Sequence, residues 1–237
     1  MTTADDGETH VDFAGIHALS SRSAGYAVAA KCLQVQADAE ASDPSLRSAK
    51  GVRLHDDAWS WYTGALGEIY GGELLKQLGP EWFVRHAVPI GAGTKDVDHL
   101  VIGPGGIFAI NTKHHAGASV WVGDVTLRVN NSGTRHLNQA VSDGRDVAQR
   151  LTSKLGFPVQ VHSVLGTRYS VLAILNSKLI TDKRAADKRL VTVIDAQRLV
   201  GWLLARPRQL SDATLGLNRL AAEEPETWHI DPRAADT

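Results

Sequence analysis

The chain has 237 residues, 43% of them hydrophobic, which is enough to bury one core and favours a single domain with decorations over two complete ones. A lone cysteine, Cys32, excludes an internal disulfide, no apolar run reaches the roughly 18 residues of a membrane span, and the acidic, polar segment Met1 to His10 lacks the basic and apolar regions of a signal peptide, so a cytoplasmic protein is expected. The formal net charge of −1 excludes no class of partner, because a polyanion responds to where charge lies rather than to its sum.

Residues 1–53 read as an N-terminal extension. Within it, residues 1–12 are expected to be disordered, Phe13 to Val35 is rich in alanine and apolar residues and suits a helix, and Gln36 to Arg53 is polar. Asp56 or Asp57 can cap a helix that runs to about Leu78, with Trp59, Tyr62, Leu66, Ile69 and Leu74 near helical spacing and Gly79-Pro80 as the stop. Trp82 to Val88, Asp96 to Ile102 and Ile107 to Lys113 are short and rich in β-formers, and Pro104-Gly105-Gly106 separates the last two, so the three read as a meander. Val120 to Val122 and Thr126 to Val129 are candidates to extend it. His136 to Leu155 reads as a second long helix, closed by Gly156. Val159 to Leu165, Tyr169 to Leu175 and Leu190 to Ile194 read as strands, Asp195 to Arg206 and Asp212 to Ala222 as closing helices, and 226–237 as a tail. No internal repeat or low-complexity block is present. A helix, a run of strands, a helix and further strands make an α/β protein with a mixed sheet.

Asp96, Asp98, Asn111, Lys113 and His115 interrupt strands that are otherwise strongly apolar, where a purely structural sequence would carry Val or Ile. Alternation puts Asp96 and Asp98 on one face of their strand, and Asn111, Lys113 and His115 on one face of the next. Whether those faces coincide depends on the turn. An even-numbered loop around Gly105 sets Asp98 with Asn111 or Lys113, and an odd one separates them unless a bulge intervenes. With the faces together, a carboxylate, an amide oxygen and an ammonium converge, which suits phosphodiester chemistry. Mg²⁺ takes oxygen ligands and keeps several waters, so Asp98 and a substrate phosphate oxygen can hold it. Lys113 can orient or deprotonate the attacking water or offset charge on the phosphorus oxygens, and Glu68 can join the cation directly or through water.

Gly64-Ala65-Leu66-Gly67-Glu68 on the first helix, the run from Asp96-Val97-Asp98 to Gly103-Pro104-Gly105-Gly106, the strand Ile107 to Lys113 and Gln139 early in the second helix together resemble the nuclease-related domain, NERD, of the PD-(D/E)XK nuclease superfamily. The resemblance runs from about Gly64 to Leu151. It implies a restriction-endonuclease-like core (helix, three-strand antiparallel meander, helix, strand) within a nuclease domain at 54–225. It also implies a catalytic set of Glu68, Asp98, Asn111, Lys113 and Gln139, with Asp98, Asn111 and Glu68 at the metal. One departure stands out. The family's acid two positions before the lysine is here Asn111, whose amide oxygen coordinates a hard cation more weakly than a carboxylate. Asp96, a pleat away, is a candidate substitute, and His114 or His115 a candidate base or ligand.

The expected activity is Mg²⁺- or Mn²⁺-dependent hydrolysis of DNA. The alternative is a non-catalytic nucleic-acid-binding or regulatory module with a degenerate site. In an active protein, Asp98→Ala and Lys113→Ala are each expected to abolish cleavage and leave the melting temperature little changed, and Asn111→Glu or Asp is the sharpest follow-up, because a gain in activity would show that asparagine is a loss. Simpler readings stand beside these. Glu68 alone is an ordinary solvated helix residue, Asp98 and Lys113 could form a structural ion pair, Asn111 could bond to backbone, and Gln139 could cap its helix. His114-His115 has no cysteine partner and no HExxH spacing, which makes a surface pair a better reading than zinc, and His99 alternates away from Asp98 as a packed histidine. The stretch from Lys178 to Arg208 is locally basic. In a nuclease, Lys183, Arg184, Lys188 and Arg189 would contact nucleic-acid phosphates; otherwise they belong to a solvated loop. Composition leaves a homo-oligomer open.

Overall fold

The structure, a computed structural model, describes residues 19–48, 51–91, 95–115, 117–123, 126–169 and 191–228. After a short 3₁₀ turn at Leu19–Ser21 come α1 (Tyr26–Ser42), a small ribbon of β1 (Arg47–Ser48) and β2 (Gly51–Val52), and α2 (Asp56–Leu75). The meander follows as β3 (Phe83–Pro89), β4 (Asp96–Gly103) and β5 (Gly106–His115). Then come β6 (Val120–Val122), β7 (Leu127–Val129), β8 (Ser132–Thr134), α3 (His136–Leu155), β9 (His162–Tyr169), β10 (Val191–Asp195), α4 (Leu199–Leu204) and α5 (Asp212–Glu223). The central sheet has the order β10-β9-β5-β4-β3. β3, β4 and β5 pair antiparallel, while β9 lies parallel to both β5 and β10. The fold is therefore α/β with a mixed sheet, as expected.

β4 and β5 read as continuous apolar runs because both faces of the sheet are covered. On one face Leu100, Ile102, Ile107 and Ala109 pack with Val147 and Leu151 of α3, Ala221 and Ala222 of α5, Leu19 and Trp228. On the other, Val101, Phe108 and Ile110 pack with Leu75 of α2 and Leu199 and Leu203 of α4. The hairpin turn settles the register. Gly103 pairs with Gly106 and Ile102 with Ile107, so Pro104-Gly105 is an even loop, and Gly106 sits at φ 131, which suits glycine.

α2 approaches the sheet through small residues. A Cβ at Gly71 would meet His99 Nε2 at 2.7 Å and Thr112 Cγ2 at 2.8 Å, and one at Gly67 would meet the His114 Cβ at 3.1 Å. The buried face is Ala58, Ala65, Gly67, Glu68, Gly71, Gly72 and Leu75, whereas Trp59, Tyr62 and Ile69, which mark the helix by their spacing, are exposed. This contact brings Glu68 against the hairpin.

Several elements differ from the sequence reading. The first helix begins at Tyr26, after Gly25 in the left-handed region (φ 78), and continues through the polar stretch to Ser42. Gln36 carries it on. Its buried amide donates to the Arg53 carbonyl at 3.1 Å and accepts from His55 N–H at 2.8 Å. Residues 13–18 of the proposed helix and residues 1–12 lie outside the described residues. His55, rather than Asp56 or Asp57, caps α2, its Nδ1 accepting from Asp57 N–H. β6, β7 and β8 do not extend the meander but form a three-stranded antiparallel sheet of their own. β9 runs on to Tyr169, and the rest of the strand proposed at Tyr169 to Leu175 lies outside the described residues. Among the described residues no helix is long and apolar enough to cross a membrane.

Candidate functional site

The pairing of β4 lapses at Asp98. β3 and β4 pair at His86↔His99 and again at Val88↔Val97, but Ala87 between them stands at φ 47, an uncommon conformation for alanine. Pairing of β4 with β5 runs from Gly103↔Gly106 to His99↔Ile110 and ends there. Asp98, the next residue, replaces the missing ladder with its side chain. Its Oδ2 accepts from Thr112 N–H at 2.6 Å and from Thr112 Oγ1 at 3.0 Å, all of them buried.

Around Asp98 stand acceptors without donors. Glu68 of α2 is 5% exposed, and its Oε2 is buried with no hydrogen-bond partner. Burial, then the charges of Asp98 and Asp96, push the Glu68 carboxyl up to about 9 against the opposing pull of Lys113 and a backbone hydrogen bond from Gly25. Asp96 Oδ2 is likewise buried and unpartnered, and burial followed by the Asp98 charge raises that carboxyl to about 7, with Arg22 and Lys113 opposing. The third orphan is Asn111 Oδ1, whose Nδ2 donates to Asp143 Oδ2 at 3.1 Å. Lys113 is half-buried and has no ion-pair partner within 4 Å among the described residues, so it makes no structural pair with Asp98.

Buried acceptors are normally satisfied, and a group of them at the edge of a hairpin is the environment a cation completes. Glu68, Asp98, Asn111 and Asp96 fit Mg²⁺ or Mn²⁺ by donor type, since all offer oxygen. Among the described residues no trio of histidine, cysteine, aspartate or glutamate is arranged to hold a metal by itself. A cation held here would therefore need the Asn111 amide oxygen and water or substrate oxygens beside the carboxylates, a donor set compatible with a hard cation that keeps its waters.

Behind Asn111 lies a layer that the sequence reading did not single out. Asp143 of α3 is 1% exposed, and its Oδ1 ion-pairs with Lys95 Nζ at 3.1 Å, without hydrogen-bond alignment. Lys95 also donates to Asp146 Oδ2 at 2.6 Å and to Ser142 Oγ at 2.9 Å. Burial works against the Lys95 ammonium, but Asp146 and Asp143 outweigh it and hold its pKa above the ordinary value. Burial raises the Asp143 carboxyl, with Lys95 and Asn111 pulling the other way. The signal for Asp143 was an acid inside the buried stripe Leu137, Ala140, Gly144, Val147 and Leu151 of an otherwise amphipathic helix.

Glu68 and Asp96 thus each lie within charge–charge reach of Asp98 and Lys113 at the open end of the hairpin, with Asn111 two residues before Lys113 on β5. Gln139 does not join the buried cluster; it is exposed on the first turn of α3, one turn ahead of Asp143. His99 is the packed histidine expected, fully buried with its Nδ1 2.8 Å from His86 Nδ1. His114 and His115 are half-buried rather than a surface pair. His114 Nδ1 lies 3.3 Å from the Thr63 carbonyl of α2, and His115 Nε2 lies 3.2 Å from His136 Nε2 of α3. Lys183, Arg184, Lys188 and Arg189 lie outside the described residues.

Residues 63–166, which span this cluster from α2 to β9, match the family model described as nuclease-related domain, NERD. No curated protein and no solved structure matches the chain.

Proposed function

We propose that this chain, whose residues 63–166 match the nuclease-related domain model, hydrolyses phosphodiester bonds of DNA with Mg²⁺ or Mn²⁺. The observation that carries this reading is the set of donor-less buried oxygens, Glu68 Oε2, Asp96 Oδ2 and Asn111 Oδ1, gathered beside Asp98 and Lys113. Asp98, Glu68 and Asn111 would hold the cation, with Asp96 in reserve. Bound there, it would supply charge neutralisation at a phosphate oxygen and a lowered pKa for water. The chain's own residues do the rest. Thr112 fixes the Asp98 carboxylate before any ligand arrives, and the Lys113 ammonium orients the attacking water or offsets charge on the phosphoryl oxygens. The order α2, β3 to β5, α3, β9 supports a restriction-endonuclease-like core. Gln139, exposed on the first turn of α3, completes the proposed catalytic set, and Lys183, Arg184, Lys188 and Arg189 are the proposed nucleic-acid contacts. Alanine at the four basic positions should flatten the fall of DNA affinity with salt, and an unchanged slope removes them from the interface.

A second reading, a non-catalytic nucleic-acid-binding module, is favoured by the neutral Asn111 and by the lack of an Asp, Glu, His or Cys trio suited to a metal among the described residues. One assay separates the two. Plasmid and single-stranded DNA are incubated with the protein in Mg²⁺, Mn²⁺ or EDTA, and a gel shift is run in EDTA. Cation-dependent cleavage supports the nuclease, a shift without cleavage supports the binding module, and neither reading is compatible with no cleavage and no shift.

A further inference from the structure

Asn111 is matched to its neighbour on α3. An amide has a donor end and an acceptor end, while a carboxylate only accepts, so the end of Asn111 that faces Asp143 must be the nitrogen. Nδ2 donates to Asp143 Oδ2 at 3.1 Å, and Oδ1 is left turned away, buried and unpartnered. Asp143 is itself anchored. Its second oxygen lies 3.1 Å from Lys95 Nζ, and Lys95 is held in turn by Asp146 at 2.6 Å and Ser142 at 2.9 Å. A carboxylate in place of Asn111 would press two acceptor-only groups together in a buried space beside a single ammonium.

We propose that Asp143, anchored by Lys95, is a positioning residue that turns the Asn111 oxygen toward the cation site, and that the negative charge usual two positions before the lysine resides here on α3 instead of β5. Asparagine at 111 is then the partner that Asp143 requires, and restoring an acid there brings no gain. This rests on the reading of the hairpin end as a cation site.

A mutant cycle in the full chain tests it, with wild type, Asn111→Asp, Asp143→Asn and the double exchange compared by melting in EDTA and by Mn²⁺ affinity without DNA, followed by electron paramagnetic resonance. Asn111→Asp should lower Tm by about 10 °C, the scale expected for an uncompensated buried charge in a chain of this size, and should not tighten Mn²⁺ binding. Asp143→Asn should weaken Mn²⁺ binding by about tenfold, typical of losing a group that orients a ligand. The double exchange rebuilds the amide–carboxylate bond with its ends reversed, and should recover most of the Tm and the wild-type Mn²⁺ affinity. An Asn111→Asp protein that melts like wild type and binds Mn²⁺ more tightly overturns the proposal, as does a double variant whose losses are the sum of the single ones. If Asn111→Asp does not fold, the double variant decides: folded supports the proposal and unfolded overturns it. Neither readout needs cleavage. A coupled cycle in a protein that never cuts DNA keeps the positioning role and removes hydrolysis, and an additive cycle in a protein that cuts DNA does the reverse.

Discussion

The two ends of the β4–β5 hairpin share their strands and little else. At the turn, Ile102 faces Ile107 and Val101 faces Phe108 in regular register, with apolar layers above and below. At the open end the pairing stops at His99↔Ile110, Ala87 turns to φ 47, and the Asp98 carboxylate takes over the Thr112 N–H. There Glu68, Asp96 and Asn111 keep buried oxygens without donors. The contrast sets a packed apolar end against a polar, under-satisfied end of a single hairpin. The turn end is packed to completion, and the open end carries deficits that a cation would fill.

The largest effect belongs to the turn end. Phe108 is fully buried, with its ring centroid 5.4 Å from that of His162 and 5.7 Å from that of Trp202. Phe108→Ala should cost about 3–5 kcal/mol in denaturant unfolding, while the folded fraction keeps the proposed cation-dependent activity. Unchanged stability would break the contrast at its apolar end. Asp98 comes next. Asp98→Ala strands the buried Thr112 N–H and hydroxyl and should cost about 1–3 kcal/mol, more than the little-changed melting temperature that the sequence alone leads one to expect. Asp98→Asn keeps an acceptor oxygen, so it should melt near wild type and still lose cleavage. Equal melting of the two variants would show that Thr112 does not depend on Asp98.

The smallest effect is a gain. Glu68 ionises near its ordinary 4.5 in the unfolded chain and near 9 in the fold, so its contribution to the metal-free protein is full below about pH 4.5 and is lost as pH rises toward 9. Glu68→Gln removes that dependence. In EDTA its melting temperature should exceed that of wild type by a few degrees at neutral pH, by more at alkaline pH and by little at acid pH. A gap that does not change with pH would mean that Glu68 is solvated.

Much of this was legible in the sequence, for identifiable reasons. β4 and β5 stand out because strands buried on both faces leave continuous apolar runs, and Asp98, Asn111 and Lys113 stand out as polar residues within them. Gly156 closes α3 in the left-handed conformation, as its identity suggests. The packing face of α2 was hidden because Gly67, Gly71 and Gly72 leave no mark on a hydrophobic pattern, whereas the exposed Trp59, Tyr62 and Ile69 do. Nothing in an alanine announces the conformation of Ala87. Three-residue strands such as β6 carry too little pattern to say which sheet they join. Asp143 and Lys95 were missed because a single acid in an apolar stripe gains meaning only once the helix is docked on Asn111.

Lys113 separates the two ends most directly. It is half-buried with no ion-pair partner among the described residues, so Lys113→Met removes the charge at little structural cost. Single-turnover cleavage of plasmid DNA in Mn²⁺ by wild type and by Lys113→Met, with melting curves of both, should show matching stability and cleavage by the wild type alone. A variant that cuts as fast as wild type would contradict the placement of the chemistry at the open end of the hairpin.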